Sequence, residues 1–351
     1  ADPSRLDENS DQVYAEYSRR LGVVADACSN SDRSVQVANL FRSEDVKTLD
    51  LDGMTAEDVC VVDVDRDGEK DFVVGGGRYI QMYRGLGDGN FIFSYASDSL
   101  ALGSDIRSIE CVEIYNAGKI DVVATDSGNG KVLLWEYNKP ANLSDTYDDT
   151  QTSIVDSEAT VELVAIDMDG DLDIDMVSVT ETNLTWFENI KGHFRTHVIS
   201  TSLERALLVI AADVDGDGVI DIVTVEAERT AWYRCIVNSD NSRTFTDHTI
   251  YDIDATNFVP LAVAPISIVN SGSLSFMVGG NSTLGCLKND GSQNFVFETF
   301  FVGDSSTAEI EAVRVLDIDN DGDLDVFAAS FVGNSFYMKN NGNLPFSASS
   351  F

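Results

Sequence analysis

The chain has 351 residues, and its 43% hydrophobic content is enough to bury a sizeable core in one to three domains. Against 23 basic residues stand 60 acidic ones, a formal net charge of −37. A field of that sign excludes nucleic-acid and anionic-membrane partners, because phosphates are repelled.

In chain order, residues 1–10 are polar, without the apolar stretch of a secretory leader. Helical periodicity is confined to 12–20. Short strands are expected at 21–25, 34–40 and 41–49, with 13–18 as a candidate innermost strand. From residue 58 onward the chain repeats. One acidic motif recurs at 63–71, 167–175, 213–221 and 317–325, and degenerate copies start at Glu113 and Ser267. The first positions are 63, 113, 167, 213, 267 and 317, so the period is about 50 residues.

Each unit reads alike. An apolar run precedes the acidic loop (59–62, 207–212, 313–316), and a second follows it (72–74, 222–225, 326–328). A third strand carries an aromatic residue (Tyr83, Trp186, Trp232). A Gly/Asn/Asp turn comes next, and a last strand opens near a phenylalanine (Phe91, Phe194, Phe245, Phe295, Phe346). Four short strands per repeat and almost no helix exclude parallel α/β folds. They read as an all-β protein, a β-propeller of four-stranded blades forming one domain over 1–351. Residues 51–351 supply six repeats. Counting back by the same spacing reaches Phe41, which makes 1–50 an atypical closing blade and seven the expected number; six is the alternative. Runs such as 206–214 are too short to cross a bilayer, so no membrane insertion is expected.

In D-x-D-x-D-G-x-x-D the carboxylates at positions 1, 3, 5 and 9 can curl around one point. Four anions that close repel one another unless a cation sits among them. Hard oxygen donors in that number suit Ca²⁺, at about 2.3–2.6 Å. The candidate ligands are Asp63, Asp65, Asp67 and Asp71; Asp167, Asp169, Asp171 and Asp175; Asp213, Asp215, Asp217 and Asp221; and Asp317, Asp319, Asp321 and Asp325, for about four ions. Glycine at position 6 (Gly68, Gly218, Gly322) permits the sharp turn. In the second loop Leu172 replaces it and Gly170 lies two residues earlier, so a different turn is expected there. The degenerate copies keep two carboxylates (Glu113, Asp121) or none (Ser267, Ser275) and are expected to fold without metal.

The five cysteines (Cys28, Cys60, Cys111, Cys235, Cys286) form no C-x-x-C pair, which argues against zinc or a redox motif. Cys60 and Cys111 lie in apolar strand-like runs and read as buried thiols in preference to a disulfide. Glycosylation sequons start at Asn142, Asn183 and Asn281. Trp135, Trp186 and Trp232 share one repeat position and read as packing between blades. His193 and His197 lack the helical setting of a zinc pair, and with His248 they read as surface or strand-edge residues. No nucleophile elbow, phosphate loop or zincin motif is present, so no catalytic residue and no enzyme activity is assigned.

The four loops, together with Trp186-Phe187-Glu188-Asn189 and the run Phe-Arg-Thr-His-Val-Ile at 194–199, resemble FG-GAP/VCBS repeats over about 58–351. Such repeats build integrin-α-like seven-bladed propellers. The resemblance implies calcium at the four loops and a secreted or cell-surface setting. The expected function is a binding or adhesion module for an extracellular protein or carbohydrate. A calcium-dependent polysaccharide lyase or hydrolase on a propeller scaffold is one alternative, and a structural subunit of an extracellular assembly is another. Oligomeric state is not legible.

Overall fold

The computed structural model describes residues 56–350 apart from 88–89, 98–99, 101–102, 116–117, 139–145, 148–151, 157–158, 253–257, 268–273, 282, 303–309, 318–321, 331–335 and 341–346. The architecture is all-β, a β-propeller with six four-stranded blades among the described residues. The seventh blade expected on 1–50, with the helical stretch at 12–20, lies outside the described residues, so six, the alternative count, is what the structure describes.

Blade 1 comprises β1 (Asp58–Val62), β2 (Asp71–Gly76), β3 (Tyr79–Gly85) and β4 (Phe91–Ala96). Blade 2 comprises β5 (Ile106–Val112), β6 (Asp121–Asp126), β7 (Lys131–Trp135) and, after a small hairpin of β8 (Tyr137–Asn138) and β9 (Thr146–Tyr147), its outer strand β10 (Thr152–Asp156). Blade 3 runs β11 (Thr160–Ile166), β12 (Asp175–Thr180), β13 (Leu184–Ile190), β14 (His193–Ser200). The described residues up to Leu203 form one compact unit, and those from Glu204 a second. The second holds blade 4, with β15 (Ala206–Ala212), β16 (Asp221–Glu226), β17 (Arg229–Val237) and β18 (Arg243–Asp252). Blade 5 follows with β19 (Ala262–Ser267), β20 (Leu274–Gly280), β21 (Thr283–Asn289) and β22 (Phe295–Val302). Blade 6 has β23 (Ile310–Leu316), β24 (Asp325–Ser330), β25 (Phe336–Lys339) and β26 (Ser347–Ser350). All pairings are antiparallel between sheet neighbours, as hairpin turns of this length require.

The repeat sorts its residues by depth. Second strands are buried on both faces; every residue of β6, β12 and β16 is inside, which explains their continuous apolar runs. Outer strands such as β14 and β22 stay partly exposed. The core lies between successive blades of the same unit. Cys60, Val73, Ile80 and Met82 of blade 1 pack with Ile106, Ile109, Val122 and Trp135 of blade 2. Ile210, Val223 and Trp232 of blade 4 pack with Val263 and Phe276 of blade 5. Two glycines at one repeat position set how closely blades meet. A Cβ on Gly75 would lie 2.5 Å from Ile109 Cγ2, and one on Gly279 2.5 Å from Ile310 Cγ2.

One sequence expectation is overturned. Cys60 and Cys111 are joined as a disulfide, with Cα atoms 6.1 Å apart. Local apolarity suggested thiols, but the repeat period decides otherwise. A separation of 51 residues brings the inner strands β1 and β5 of adjacent blades side by side. Cys235 and Cys286 are buried free thiols, and burial pushes them up to about 11 and about 12, so they are inert. Cys28 lies outside the described residues.

Candidate metal centres

The acidic loops occupy the turn between first and second strands in blades 1, 3 and 4. Each is organised by its own main chain. The position-1 carboxylate collects amide donors: Asp63 accepts from Asp67 N at 3.0 Å and Gly68 N at 2.9 Å. Asp213 accepts from Gly216, Asp217 and Gly218 N at 2.8, 3.1 and 2.8 Å. In blade 6, Gly322 N donates to Asp317 at 2.9 Å, while Asp319 and Asp321 lie outside the described residues.

Two positions are left-handed in the loops of blades 1, 3 and 4, and one of them is described in blade 6 as well. Position 6 has φ of 96° at Gly68, 85° at Gly218 and 92° at Gly322. Leu172 takes the same conformation, φ 77°, and its N donates to Asp167 at 3.0 Å, as Gly218 N does to Asp213. The different turn expected around Leu172 is therefore not found. The hydrogen bonds to Asp167 hold a non-glycine residue in a conformation that costs about 1–2 kcal/mol, and its side chain, 78% exposed, escapes to solvent. Position 4 is left-handed as well, at Arg66 (59°), Gly170 (77°) and Gly216 (76°).

Position 9 opens the second strand, and its side chain is fully buried in all four acidic loops (Asp71, Asp175, Asp221, Asp325). It staples the blade. One oxygen of Asp71 accepts from Val64 N (2.8 Å) and the other from Gly85 N at the end of β3 (2.9 Å). Asp175 accepts from Met168 N (3.1 Å) and Asn189 N (2.7 Å), and Asp221 from Val214 N (3.2 Å) and Cys235 N (2.7 Å). Asn340 N reaches Asp325 at 2.7 Å. Blade 2 keeps the staple through Asp121, which accepts from Tyr137 N at 2.9 Å, and blade 5 replaces it with Ser275, whose Oγ accepts from Asn289 N at 3.1 Å. The residue thus has a backbone role that survives where the other acids are gone.

Carboxylate oxygens of positions 1, 3 and 9 converge. In Asp63/Asp65/Asp71, Asp167/Asp169/Asp175 and Asp213/Asp215/Asp221 they lie within 4.8 Å of one another. That spread matches the span of oxygens around one calcium ion with bonds of about 2.3–2.6 Å. Position 5 (Asp67, Asp171, Asp217) stands outside this inner trio, each accepting the amide two residues on at 2.9 Å. Crowding and burial leave a mark on protonation. Burial pushes the Asp71 carboxyl up to about 6 and those of Asp175 and Asp221 up to about 7, against backbone hydrogen bonds that pull them down. Burial also raises Asp213.

Residues not assigned to the site from the sequence complete its surroundings. The Arg84 guanidinium meets Asp65 (2.9 Å) and Asp67 (2.8 Å), and that of Arg234 meets Asp215 (2.7 Å) and Asp217 (3.2 Å). The indole N–H of Trp186 donates to Asp175 at 3.1 Å, and Trp232 faces Asp221 in blade 4. Trp186 therefore holds a loop carboxylate besides packing. The repeat position that it shares with Trp232 was visible in the sequence, but that its ring nitrogen faces the loop was not. His197 stacks on Trp186 and its Nε2 lies 2.7 Å from Glu188. In blade 2, Glu113 accepts from Gly118 N at 3.1 Å and is ion-paired to Arg66 of blade 1.

Of the sequons, Asn183 is half-buried in the β12–β13 turn, where its N donates to Thr180 Oγ1 at 2.9 Å. Asn281 is exposed between β20 and β21. Both sit at the end of their blade opposite the acidic loop or its degenerate counterpart; Asn142 lies outside the described residues. Among the described residues no helix is long and apolar enough to cross a membrane.

Known proteins place this architecture. No curated protein sequence matches the chain. A solved structure titled for specific recognition of non-reducing terminal N-acetylglucosamine by an Agrocybe aegerita lectin superposes with a TM-score of 0.62 at 16% identity, over 85% of this chain and 80% of that one. BBS1N, solved in complex with ARL6DN, superposes with a TM-score of 0.54 at 12% identity, over 83% and 81%. At such identities both speak for the fold alone. The FG-GAP-like repeat model matches residues 167–224, from Asp167 of blade 3 into β16, and so takes in two complete acidic loops. With the same acidic pattern repeated in the sequence of blades 1 and 6, and with six four-stranded blades, the chain is a β-propeller that carries FG-GAP-like repeats.

Proposed function

We propose that this propeller is an extracellular binding module for a protein or carbohydrate ligand, its blades pinned by about four calcium ions. The observation that carries the calcium reading is the threefold recurrence of one inner trio of carboxylates within 4.8 Å. Its buried members resist ionisation when no cation is near, and a divalent ion removes that penalty. Asp63, Asp65, Asp67 and Asp71 would hold one ion, Asp167, Asp169, Asp171 and Asp175 a second, and Asp213, Asp215, Asp217 and Asp221 a third. By repetition Asp317, Asp319, Asp321 and Asp325 would hold a fourth.

The Cys60–Cys111 disulfide supports an oxidising, extracellular setting. The lectin among the structural neighbours supports a carbohydrate as one ligand class. Stacking on the three tryptophans is not the means, because Trp135, Trp186 and Trp232 are at most 4% exposed. Exposed aromatics such as Tyr79 and Phe93 are better placed.

Calorimetric titration with calcium should find about four sites, and EGTA should lower the melting temperature. A ligand at 100 times its Kd adds about 2.7 kcal/mol per site. A glycan array and a pull-down from cell surfaces, both blank with calcium present, would sink the binding-module reading.

A further inference from the structure

We propose that Arg84 and Arg234 are built-in counter-ions that sit against the position-3 and position-5 carboxylates of the Asp63 and Asp213 loops and set how tightly those loops take calcium, an inference that rests on the calcium reading above. The two arginines stand at the same repeat position, 21 residues after Asp63 and Asp213, and they engage their loops in the same way. Nε of Arg84 lies 2.9 Å from Asp65 and its NH2 group 2.8 Å from Asp67. For Arg234 the distances are 2.7 Å to Asp215 and 3.2 Å to Asp217.

The position-3 carboxylate is the key partner. Asp65 and Asp215 are 1% and 7% exposed at their side chains, and each belongs to the inner trio of its loop. Each guanidinium spans two carboxylates, its Nε ion-paired with the nearly buried position-3 group and its NH2 hydrogen-bonded to position 5, so its charge sits against oxygens that an ion needs. A divalent ion entering the trio meets a fixed positive charge a few Å away, and it must either displace the guanidinium or share oxygens with it. Blade 3 differs: 21 residues after Asp167 stands Glu188, which bonds His197 and Arg195 on the outer strand. The substitution adds a negative charge where the other two blades carry a positive one. Sequence position alone thereby gives the propeller loops of different affinity.

The test uses the full chain and calcium alone, by calorimetric titration, with terbium luminescence excited through Trp232 as a local reporter for the Asp213 loop. Arg84→Gln and Arg234→Gln should each tighten one class of sites about tenfold or more. Arg234→Lys, which keeps the charge but loses the fork, should give a smaller gain and guards against misfolding of the glutamine variant. Arg107→Gln removes an equal charge from an arginine paired with Asp105, away from any acidic loop, and should change affinity less than twofold. Unchanged or weaker binding in Arg84→Gln and Arg234→Gln, with wild type binding normally, overturns the proposal and leaves the calcium reading standing. Gains matched by Arg107→Gln reduce the effect to net charge and overturn it too. No binding by wild type or any variant overturns the calcium reading and this proposal together.

Discussion

The indole N–H of Trp186 points into the acidic loop of its own blade and donates to Oδ2 of Asp175 at 3.1 Å. Asp175 has no exposed surface, and burial holds its carboxyl up at about 7. The indole is thus one of three donors that make a buried carboxylate tolerable at neutral pH. Trp186→Phe keeps the ring and removes the donor. It should cost about 1.5–3 kcal/mol in urea denaturation at pH 8, where Asp175 is ionised, and much less at pH 5, where it is protonated.

Leu172 pays for a left-handed backbone that glycine adopts freely, while its side chain lies in solvent. Leu172→Gly should stabilise the protein by about 0.5–1 kcal/mol, the strain relief being partly offset by the greater freedom of glycine in the unfolded chain. The reverse change in blade 4, Gly218→Leu, should destabilise by a similar amount. Thermal denaturation in EGTA isolates both from metal binding.

The raised carboxyls fix the sign of the pH dependence. Without metal, Asp71 titrates near 6 and Asp175 and Asp221 near 7 in the folded state, against 3.8 unfolded. The folded chain therefore holds protons that the unfolded chain has released. The stability they contribute is complete below about pH 4 and is lost as pH rises through 6–7. On the calcium reading the same groups become ionised ligands once the ion binds, and its contribution should fade as pH falls below about 6. Urea midpoints at pH 5 and 8, in EGTA and in calcium, should change rank between the two conditions.

Asp215 and Asp121 separate ligand from staple. Asp215→Ala should shrink the calcium-induced rise in melting temperature. Asp121 belongs to a blade that keeps only two acids and holds Tyr137 N at 2.9 Å. Asp121→Ala should cost about 1–3 kcal/mol whether or not calcium is present.

Reduction of the Cys60–Cys111 bridge, which ties blade 1 to blade 2 across 51 residues of sequence, should cost about 2–4 kcal/mol. A melting temperature unchanged in dithiothreitol, with both thiols shown free by alkylation, would contradict that figure.

How far the sequence alone reached depends on whether a feature repeats. The blade pattern, the acidic loops and the buried second strands recur every 50 residues or so, and each copy supports the reading of the others. Features made between repeats were harder. Cys60 and Cys111 looked like apolar strand residues because nothing local says which strands become neighbours. Arg84 and Arg234 drew no reading from the sequence, because their aim toward the loop depends on the β2–β3 and β16–β17 pairings. Leu172 misled for another reason: a run of amides converging on Asp167 outweighs the backbone preference of a single residue.

The buried acid at the start of each second strand bonds the amide at the end of the third strand with or without neighbouring acids, and in blade 5 a hydroxyl suffices. Shape and ion capture are therefore separable inheritances of the hairpin. On the calcium reading, a duplicated unit sheds or recovers its cation by changing two or three loop carboxylates, while its neighbours feel no change in the strands they lean on.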